Sequence, residues 1–491
     1  MYINTNIMNI PNFFTDKEQL LKYDFTQLQS IIGSDIDYSF HIPNLSLQID
    51  PIDYLKSIIY GYNHIYIQNI TNKINPNANI CLPLIHDWTG SSRIDNIVII
   101  SNPDDAEKIS NKHIKKTPIF STFLDTSIIS TLDNDDWKEQ RDRMNLAFLP
   151  KLSLQKIFPI SQARARECVY TLQKISNNFT SAINISEFFL NETQAQLQLA
   201  MFGFSPQFEK QTNKKIRNAF SGINTDYIYE FSEKALEECY HSDGPLSKIL
   251  SKYSDQYEKT LGNLRIFAFA GHDTTSHTLT WLIYELCKHP EYKRELIKEI
   301  KEYWLRNNEE SYLTFHELPF MTKCITETLR LWPALANGTY RELEYDEIVT
   351  GIDGEPVTIP KGTYCQIINW TRHRNQLLWG HDVNIFNPYR EFKDSEIWSY
   401  KGFGTYNVSS DRYSPFSYSP RNCIGKNFSQ MEMRLILLNI FKHFDFELDT
   451  KQDINSNNPN YMGLNTFTLG PYNIYDTDEL LGMFVKVIPN N

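Results

Sequence analysis

The chain has 491 residues, of which 41% are hydrophobic and 13% aromatic, so it can bury a large core. Its formal net charge of -11 excludes the basic character that a nucleic-acid partner requires. Seven scattered cysteines without a C-x-x-C pair argue against a disulfide framework or a zinc ribbon and indicate a reducing compartment.

Residues 1–40 are predicted to form a weakly structured lead-in without a membrane anchor. The segment is polar, is interrupted by Asn, Asp and Pro, and lacks the basic and then apolar order of a signal peptide. It also falls short of the about 20 apolar residues that a membrane span needs. We therefore expect a cytoplasmic protein without a transmembrane segment, and association with a membrane surface through an amphipathic face is left open.

The rest of the chain alternates a little β patterning with long helical stretches. Isoleucines at positions 65, 67 and 70 and the β-branched run at 97–100 predict two paired strands. Helical patterning dominates residues 103–332, and short β runs punctuated by Gly and Pro fill residues 337–370. A helix is predicted directly after Cys423, and the Asn-rich tail from residue 453 ends in a strand-like run. The predicted fold class is mainly α with small β-sheets.

An acid followed by an alcohol lies inside an apolar helical run, in the segment AGHDTT at residues 270–275. A buried acid is costly unless it has a partner or a task. A Thr hydroxyl in a helix can bond to the carbonyl one turn earlier and open the helical ladder. Asp273 and Thr274 are therefore candidate catalytic residues. The alternative is a Thr-rich helix whose polar face meets solvent, and His272 and His277 are expected to serve packing or surface roles.

A lone cysteine stands at a junction between a loop and a helix, in the segment FSYSPRNCIG at residues 416–425. Backbone N–H groups and the helix dipole at such a junction favour an anion and lower the pKa of a thiol. A thiolate held in this way can be the proximal ligand of a haem iron. The alternative for Cys423 is a buried free cysteine before a helix.

This segment resembles the haem-binding loop of the cytochrome P450 family, F-x-x-G-x-R-x-C-x-G. Phe416, Arg421, Cys423 and Gly425 stand at the matching positions. Ser419 replaces a family glycine, which permits a tight turn there, so the sequence predicts a small change of loop geometry. The resemblance implies haem b, iron protoporphyrin IX, with the Cys423 thiolate as the axial metal ligand.

The helical segment at residues 270–275 fits the family pattern [AG]-G-x-[DE]-T-[TS] at every position. The resemblance implies that Gly271 leaves room for oxygen against the haem and that Thr274 holds the oxygen by a hydrogen bond. It also implies that Asp273 relays protons from solvent.

Two further donors resemble the family's W-x-x-x-R element, Trp137 and Arg141. Their i,i+4 spacing places both on one helical face, and neither accepts hydrogen bonds, which suits a carboxylate. The resemblance implies that they bind one haem propionate and that Arg421 binds the other, with Arg341 as a further candidate. The alternative for Trp137 is a plain core anchor.

A structural ion network is predicted from Glu327 and Arg330, which match the family's E-x-x-R and face one side of a helix. Arg390 takes the place of the arginine that joins this pair in the family. Tyr389 replaces the usual acid there, and Glu391 separates the arginine from the aromatic residue that follows. We interpret the trio as fixing the loop that presents the cysteine, because buried charge networks add little net stability and are costly to break.

The resemblance covers roughly residues 41–488, which implies one haem domain. The stretch between residues 203 and 270 is shorter than the family habit, so we predict a reduced substrate lid. The stretch between residues 392 and 416 is longer, and we expect this insertion near the face where a reductase docks.

The implied activity is that of a monooxygenase, which inserts one oxygen atom from O2 into a lipophilic small molecule. Its electrons would come from a separate flavoprotein reductase or ferredoxin, because no flavin or nicotinamide fingerprint is evident. Two alternatives stay open: a peroxide-using or rearranging haem-thiolate enzyme, and a haem protein without turnover that acts as a sensor or decoy.

Overall fold

A computed structural model gives the fold of most of the chain. It describes residues 42–47, 49, 53–54, 57–58, 61–86, 93–118, 124, 126–399, 408–449, 463–465, 468–471 and 482–490. The predicted lead-in at residues 1–40 lies outside these ranges.

Helices make up most of the described residues. In chain order they are α1 (Asn63–Ile74), α2 (Pro103–Lys112), α3 (Asn134–Asn145), α4 (Gln155–Ile175), α5 (Ile185–Gln196), α6 (Pro206–Phe220), α7 (Tyr227–Cys239), α8 (Pro245–Leu250), α9 (Tyr257–Lys288), α10 (Pro290–Arg306), α11 (Pro319–Leu331), α12 (Asn369–His373), α13 (Gln376–Trp379) and α14 (Lys426–His443). Short 3-10 turns lie at Leu146–Phe148, Ser251–Gln256, Tyr312–Glu317 and Asp394–Glu396, and π-helical turns at Pro150–Leu154 and Leu197–Phe202.

Many of these helices begin at start signals that can be read in the sequence. Asn102, Asn184 and Ser205 each accept the backbone N–H of the third residue after them, which satisfies a donor that the helix leaves free. Proline is the first residue of α2, α6, α8, α10 and α11, where its missing N–H costs nothing.

The strands are short and form four small sheets. They are β1 (Ile80–His86), β2 (Arg93–Ile100), β3 (Ile183–Asn184), β4 (Thr339–Glu342), β5 (Glu347–Thr350), β6 (Pro356–Ile359), β7 (Tyr364–Ile367), β8 (Phe444–Leu448), β9 (Gly463–Asn465), β10 (Thr468–Gly470) and β11 (Phe484–Pro489). The strand orders are β1-β2-β7-β4, β3-β11-β8, β5-β6 and β9-β10. In the largest sheet β2 runs antiparallel to β1 and parallel to β7. The predicted fold class, mainly α with small β-sheets, is confirmed.

One predicted strand pair is wrong. The isoleucines around Ile67 lie in α1, where the buried residues are His64, Ile67 and Thr71. These buried residues are three and four positions apart, which is the helical period. The sequence interpretation instead took the isoleucines of this segment for strand alternation. The run at 97–100 is a strand as predicted, but its partner is β1.

Helix α9 is the centre of the fold. It has 32 residues, is buried on almost all sides from Thr260 to Leu286, and packs against α5, α7 and α11. None of the helices in the described ranges is both long enough and apolar enough to cross a membrane. The polar residues of this buried helix are therefore enclosed by protein, which makes their partners decisive.

Between Gly203 and Gly244, in the stretch that joins α5 to α9, the chain forms the two helices α6 and α7 and returns to the point where it left. Helices α6 and α7 pack on each other and on α9. The two ends of the excursion meet at Gly203 and Gly244, because a Cβ at Gly244 would lie 2.2 Å from the carbonyl oxygen of Phe202. Ser247 Oγ donates to the same oxygen at 2.6 Å and closes the base. The region predicted to form the substrate lid is thus compact and anchored at one point.

Candidate functional site

The cysteine loop runs from Phe416 to the start of α14. The N–H of Cys423 donates to the carbonyl oxygen of Phe416 at 2.8 Å and closes the loop on itself. Gly425 is the residue before α14 and has an ordinary φ of -82°. A Cβ at Gly425 would lie 3.9 Å from the Cys423 sulfur, so this glycine leaves the space beside the sulfur open.

Cys423 differs from the other cysteines of the chain. All seven lie within the described residues, five are buried, Cys287 is half-buried and Cys423 is exposed. Burial by the surrounding protein raises the pKa of the Cys423 thiol, although Lys426, the N–H of Gly425 and Arg141 act in the opposite direction. The sequence predicted a lowered pKa, and the difference arises because desolvation outweighs the helix start. An accessible sulfur with many protein atoms around it lines a concave space.

The substitution of the family glycine by Ser419 has a local explanation. The backbone position in the left-handed region is Ser417, whose φ is 61°. Ser419 does not have a positive φ, so no glycine is required there. Its hydroxyl accepts a hydrogen bond from Asn422 Nδ2 at 3.2 Å, inside the loop. The strained position is therefore two residues earlier than the family pattern suggests.

A buried arginine that was not predicted fastens this loop. Arg372 in α12 is fully buried and donates to the Tyr418 hydroxyl and to Ser414 Oγ, both at 2.8 Å. It also donates to the carbonyl oxygen of Asp411 at 3.3 Å. The neighbouring His373 accepts the N–H of Ser414 at 3.0 Å through Nε2. The chain before the cysteine is thus held by α12.

Two parts of the predicted insertion meet at the carboxylate of Glu396. Glu396 is fully buried and accepts hydrogen bonds from Arg412 Nε at 2.8 Å and Nη2 at 2.9 Å. Ser410 Oγ donates to the same carboxylate at 2.6 Å. The chain that leaves at Glu396 therefore returns to it at Ser410. Residues 400–407 lie outside the described residues, so the prediction that the insertion lies near a reductase face remains a prediction.

Three buried cations meet beside the loop. Lys116, Arg341 and Arg421 are 5%, 0% and 7% exposed. Burial and the charge of Arg341 lower the pKa of Arg421 to about 9. Burial lowers the pKa of Arg341 to about 10. Burial and the charges of both arginines lower the pKa of Lys116 well below its usual value.

The donors of these cations point to an anionic ligand. Within the described residues no acceptor bonds to Nε, Nη1 or Nη2 of Arg421, or to Nε or Nη2 of Arg341. Buried cations without acceptors are costly, and a planar fork of donors matches a carboxylate. The guanidinium carbon of Arg421 lies 4.6 Å from the centre of the Trp137 ring, so Trp137 stacks on this group. The two propionates of an iron porphyrin fit this donor set.

Arg141 bonds to the cysteine loop. Its Nη1 donates to the carbonyl oxygen of Asn422 at 2.7 Å, and its Nη2 donates to Asn422 Oδ1 at 2.6 Å. In this arrangement it holds the residue before Cys423, and together with burial its charge also lowers the pKa of Arg421. The structure stacks Trp137 on Arg421 and places Arg341 beside them, and the propionate contacts of Trp137, Arg141 and Arg421 remain predictions. Lys116 was missed.

Helix α9 carries small and hydroxyl residues that are less buried than their neighbours, and the family resemblance implies that they face the sulfur across the concave space. Ala270, Gly271 and Thr274 are half-buried within an otherwise buried stretch of helix. Thr274 Oγ1 donates to the Ala270 carbonyl oxygen at 3.0 Å, the back-bond expected from the sequence. A Cβ at Gly271 would lie 2.6 Å from Leu197 Cδ1, so close helix packing is one reason for glycine here. Its predicted role in leaving room for oxygen remains a prediction.

Asp273 is buried, and its carboxylate is bonded to the hydroxyl of Thr468 in β10. Burial raises the pKa of Asp273, and the charge of His272 and the Thr468 hydrogen bond act against this. His277 is fully buried, and burial lowers its pKa to about 3, so the imidazole is neutral. His272 is also buried and bonds through Nδ1 to the Ala268 carbonyl oxygen at 2.7 Å. Neither histidine lies on the surface.

The predicted ion network is assembled in the structure. Arg330 forms a bidentate pair with Glu327, with Nε and Nη2 each 2.7 Å from a carboxylate oxygen. Arg390 Nε donates to the same carboxylate at 3.1 Å. Arg330 Nη1 also donates to the carbonyl oxygens of His373 and Val383, both at 2.8 Å. The network thus connects α11 to α12, the helix that holds the cysteine loop.

Sequence reasoning missed three residues that the structure brings to the site. Arg372 had a readable signal, because the basic run 372–374 comes soon after the apolar residues 367, 368 and 370, and a charge in such a segment needs partners. Lys116 and Thr468 carry no local signal. Their contacts join segments that are far apart in the chain.

Comparison with known proteins gives one family and several relatives. The sequence model of the family "Cytochrome P450" matches residues 88–236 and 246–474. Cytochrome P450 3A12 of Canis lupus familiaris is 27% identical over 372 residues, which cover 65% of this chain and 70% of that protein. Cytochrome P450 4F3 of Rattus norvegicus is 37% identical over 189 residues, 38% of this chain and 33% of that protein.

A human relative has a name that states its activity. The ultra-long-chain fatty acid omega-hydroxylase of Homo sapiens is 33% identical over 191 residues, 38% of this chain. The matched region spans a third of the length of the rat and human relatives. The family match covers most of the chain, whereas these relatives share only a part of it.

Proposed function

This chain belongs to the cytochrome P450 family, and from that premise we propose that it is a haem-dependent monooxygenase acting on a lipophilic small molecule. One observation carries the proposal: the exposed Cys423 sulfur lies just before α14, in the loop that also carries Arg421, and within the described residues no acceptor bonds to the buried donors Nε, Nη1 and Nη2 of Arg421 or Nε and Nη2 of Arg341. A thiolate ligand and two carboxylate sites are the requirements of a haem-thiolate centre.

The roles of the residues follow from their positions. Cys423 would ligate the iron of haem b, and Phe416 and Gly425 shape the loop around it. Trp137 and Arg141 would bind one propionate and Arg421 the other, with Arg341 and Lys116 as further donors beside them. The haem supplies the activation of O2, from which one oxygen atom enters the substrate and the other leaves as water.

The residues of α9 would handle protons. Thr274 Oγ1 is half-buried and can turn from its bond with the Ala270 carbonyl oxygen toward the concave space. Asp273, the preceding residue, would hold a proton at its carboxylate, because burial raises its pKa. Gly271 would keep the helix close to the haem. The trio of Glu327, Arg330 and Arg390 would keep the cysteine loop in place.

We propose that residues 41–488 form one haem domain and that electrons come from a separate flavoprotein reductase or ferredoxin. The cytoplasm is the proposed location. The relative named as an ultra-long-chain fatty acid omega-hydroxylase makes fatty acids the first substrates to test. The compact excursion of α6 and α7 supports a reduced lid and hence a differently shaped pocket.

The absorbance spectrum of the reduced protein with carbon monoxide tests the haem centre. We expect the far-shifted Soret band of a thiolate-ligated haem, and we expect Cys423→Ala to abolish this band or haem binding with it. Cys287→Ala is the matched control, since Cys287 is half-buried and lies elsewhere. If Cys423→Ala keeps the band, the ligand assignment is wrong.

Turnover with a reductase separates the proposed activity from its alternatives. We expect NADPH consumption and a hydroxylated product when the haem protein is mixed with a generic reductase and a fatty acid. Product formation only with added peroxide would favour the peroxide-using enzyme. Absence of product under both conditions, across a panel of lipids that bind, would favour a haem protein without turnover.

A further inference from the structure

The strand β10 brings a hydroxyl to the acid of α9. Thr468 Oγ1 is hydrogen-bonded to Asp273 Oδ2. His277 Nδ1 lies 3.1 Å from the same hydroxyl oxygen and 3.9 Å from the other carboxylate oxygen, Asp273 Oδ1. Three polar groups from two distant segments therefore meet around one hydroxyl.

The position of Thr468 does not depend on the acid alone. The next residue, Leu469, donates its N–H to the Ala334 carbonyl oxygen at 2.9 Å. Its own carbonyl oxygen accepts the indole N–H of Trp281 in α9, also at 2.9 Å. Backbone bonds on both sides thus fix β10 against α9 and hold the Thr468 hydroxyl in place.

The three side chains around the hydroxyl differ in solvent exposure. Thr468 and His277 are both 0% exposed, whereas the Asp273 side chain keeps 11% of its surface accessible. The next residue in the helix, Thr274, is half-buried. The carboxyl is therefore the accessible end of the group, and the hydroxyl and the imidazole are its closed end.

The other titratable group facing the acid is engaged elsewhere. His272 bonds through Nδ1 to the Ala268 carbonyl oxygen, and its ring lies 5.8 Å from that of Phe220. Arg217, whose charge is felt by His272, is bonded to Glu187 and Asn213. Thr468 and His277 remain as the side chains bonded around the carboxyl.

A hydroxyl between a carboxyl and an imidazole can serve both protonation states of the acid. When the carboxyl is ionised, the hydroxyl donates to it and accepts the Nδ1–H of the imidazole. When the carboxyl is protonated, the hydroxyl accepts from it and donates to Nδ1 in the other tautomer. The hydroxyl can therefore stay bonded to both the carboxyl and the imidazole when the carboxyl takes up or releases a proton, and losing either bond would be costly.

We propose that Thr468 is a positioning residue for proton delivery: its hydroxyl holds the Asp273 carboxyl and, with the His277 imidazole, provides a hydrogen bond in both protonation states. The inference rests on the proposed monooxygenase function, in which Asp273 carries the proton. Thr468 is fully buried and would act through Asp273, to which its hydroxyl is bonded.

Two substitutions of one residue test the proposal in the haem protein. Thr468→Val keeps the shape and removes the hydroxyl, whereas Thr468→Ser keeps the hydroxyl and removes a methyl group. The first readout is the carbonyl-stretch band of protonated Asp273 in infrared pH-difference spectra, identified by its loss in Asp273→Asn. The second is the ratio of hydrogen peroxide to hydroxylated product during turnover with reductase.

We expect Thr468→Val to shift the infrared band and to raise the peroxide ratio about fivefold, the effect of losing one hydrogen bond. Thr468→Ser should match the wild type in both. The proposal is overturned if Thr468→Val leaves the band in place, whatever happens to the peroxide ratio, or if Thr468→Ser behaves like Thr468→Val. If Thr468→Val does not bind haem, Thr468→Ala takes its place.

The infrared readout separates this inference from the proposed function. It is recorded on the resting protein, without reductase, substrate or turnover. If the wild type forms no product, the monooxygenase proposal fails, while the band still decides whether Thr468 holds Asp273.

Discussion

The Arg141 guanidinium donates hydrogen bonds to both oxygens of Asn422, the residue that precedes Cys423. The two bonds, 2.7 and 2.6 Å long, join the carbonyl and the side-chain amide to one rigid fork. Helix α3 and the cysteine loop are thereby fixed to each other.

We predict that Arg141→Ala loosens the cysteine loop. Loss of two charge-assisted hydrogen bonds should lower the free energy of unfolding by about 2 kcal/mol. The fraction of reduced protein with the thiolate-type carbon monoxide band should also fall. Arg143→Ala on the same helix is the control, because Arg143 pairs with the exposed Glu139. Equal effects of the two substitutions would contradict the role given to Arg141.

Lys116→Met is expected to act in opposite directions on two forms of the protein. The haem-free form should gain stability, on the order of 1 kcal/mol, because one of three mutually repelling buried cations is removed. The haem-bound form should release haem faster, as measured by transfer to apomyoglobin. Lys115→Met is the control, since Lys115 pairs with Glu342 at 2.7 Å and is 35% exposed. A loss of stability in the haem-free form would contradict the interpretation of Lys116 as a repelled buried cation that binds an anionic ligand.

Glu327→Gln should be among the most damaging substitutions outside the cysteine loop. Glu327 pairs with both Arg330 and Arg390. Arg390 also pairs with Asp382, so the substitution leaves Arg330 as a fully buried cation against a neutral amide. We expect a loss of about 3 to 5 kcal/mol in urea unfolding. Glu317→Gln breaks the half-exposed pair with Arg306 and should cost less than about 1 kcal/mol. Comparable losses would mean that the buried network is replaceable.

Glu285 makes stability depend on pH. Burial raises its pKa to about 7, although the indole N–H of Trp332 donates to it at 2.6 Å. The unfolded carboxyl has a lower pKa, so the folded chain binds more protons between about pH 4.5 and 7. The free energy of unfolding should therefore fall as pH rises through this interval, by up to about 3 kcal/mol from this group.

Glu285→Gln should remove that contribution and flatten the profile, while Gln still accepts the Trp332 hydrogen bond. Urea unfolding across this pH range measures the slope. Glu317→Gln should leave the slope in this interval unchanged, because the hydrogen bond from Arg306 lowers the pKa of Glu317 and its effect on stability therefore lies below about pH 4.5. If the free energy of unfolding of Glu285→Gln depends on pH as steeply as that of the wild type, the Glu285 carboxyl is ionised in the folded protein throughout this interval.

Part of this site follows from local sequence. The spacing of Trp137 and Arg141 and of Glu327 and Arg330 gives one helical face each, and α14 begins just after the cysteine as predicted. The fold class was predicted because long apolar-periodic helices and short punctuated strands have different periods.

The remainder depends on contacts between distant segments. Thr468 reaches Asp273 from 195 positions later in the chain, and Arg141 reaches Asn422 across 281 positions. No periodicity encodes such pairs. The sequence interpretation also did not foresee the bonds from Arg141 to Asn422, because a motif gives the residue type but not every acceptor within its reach. Around Ile67 it failed for a local reason, since isoleucine suits a strand as well as a buried helical face.

The carboxylate of Glu396 ties together both ends of the chain between itself and Ser410. Arg372 then fastens the next residues on the way to the cysteine. Because the ends are fixed, a change in the length of the connection costs mainly loop entropy, about 0.6 kcal/mol for each doubling. This connection is therefore a suitable place to insert an affinity tag or a fluorescent reporter, because the insertion should not displace the Cys423 sulfur.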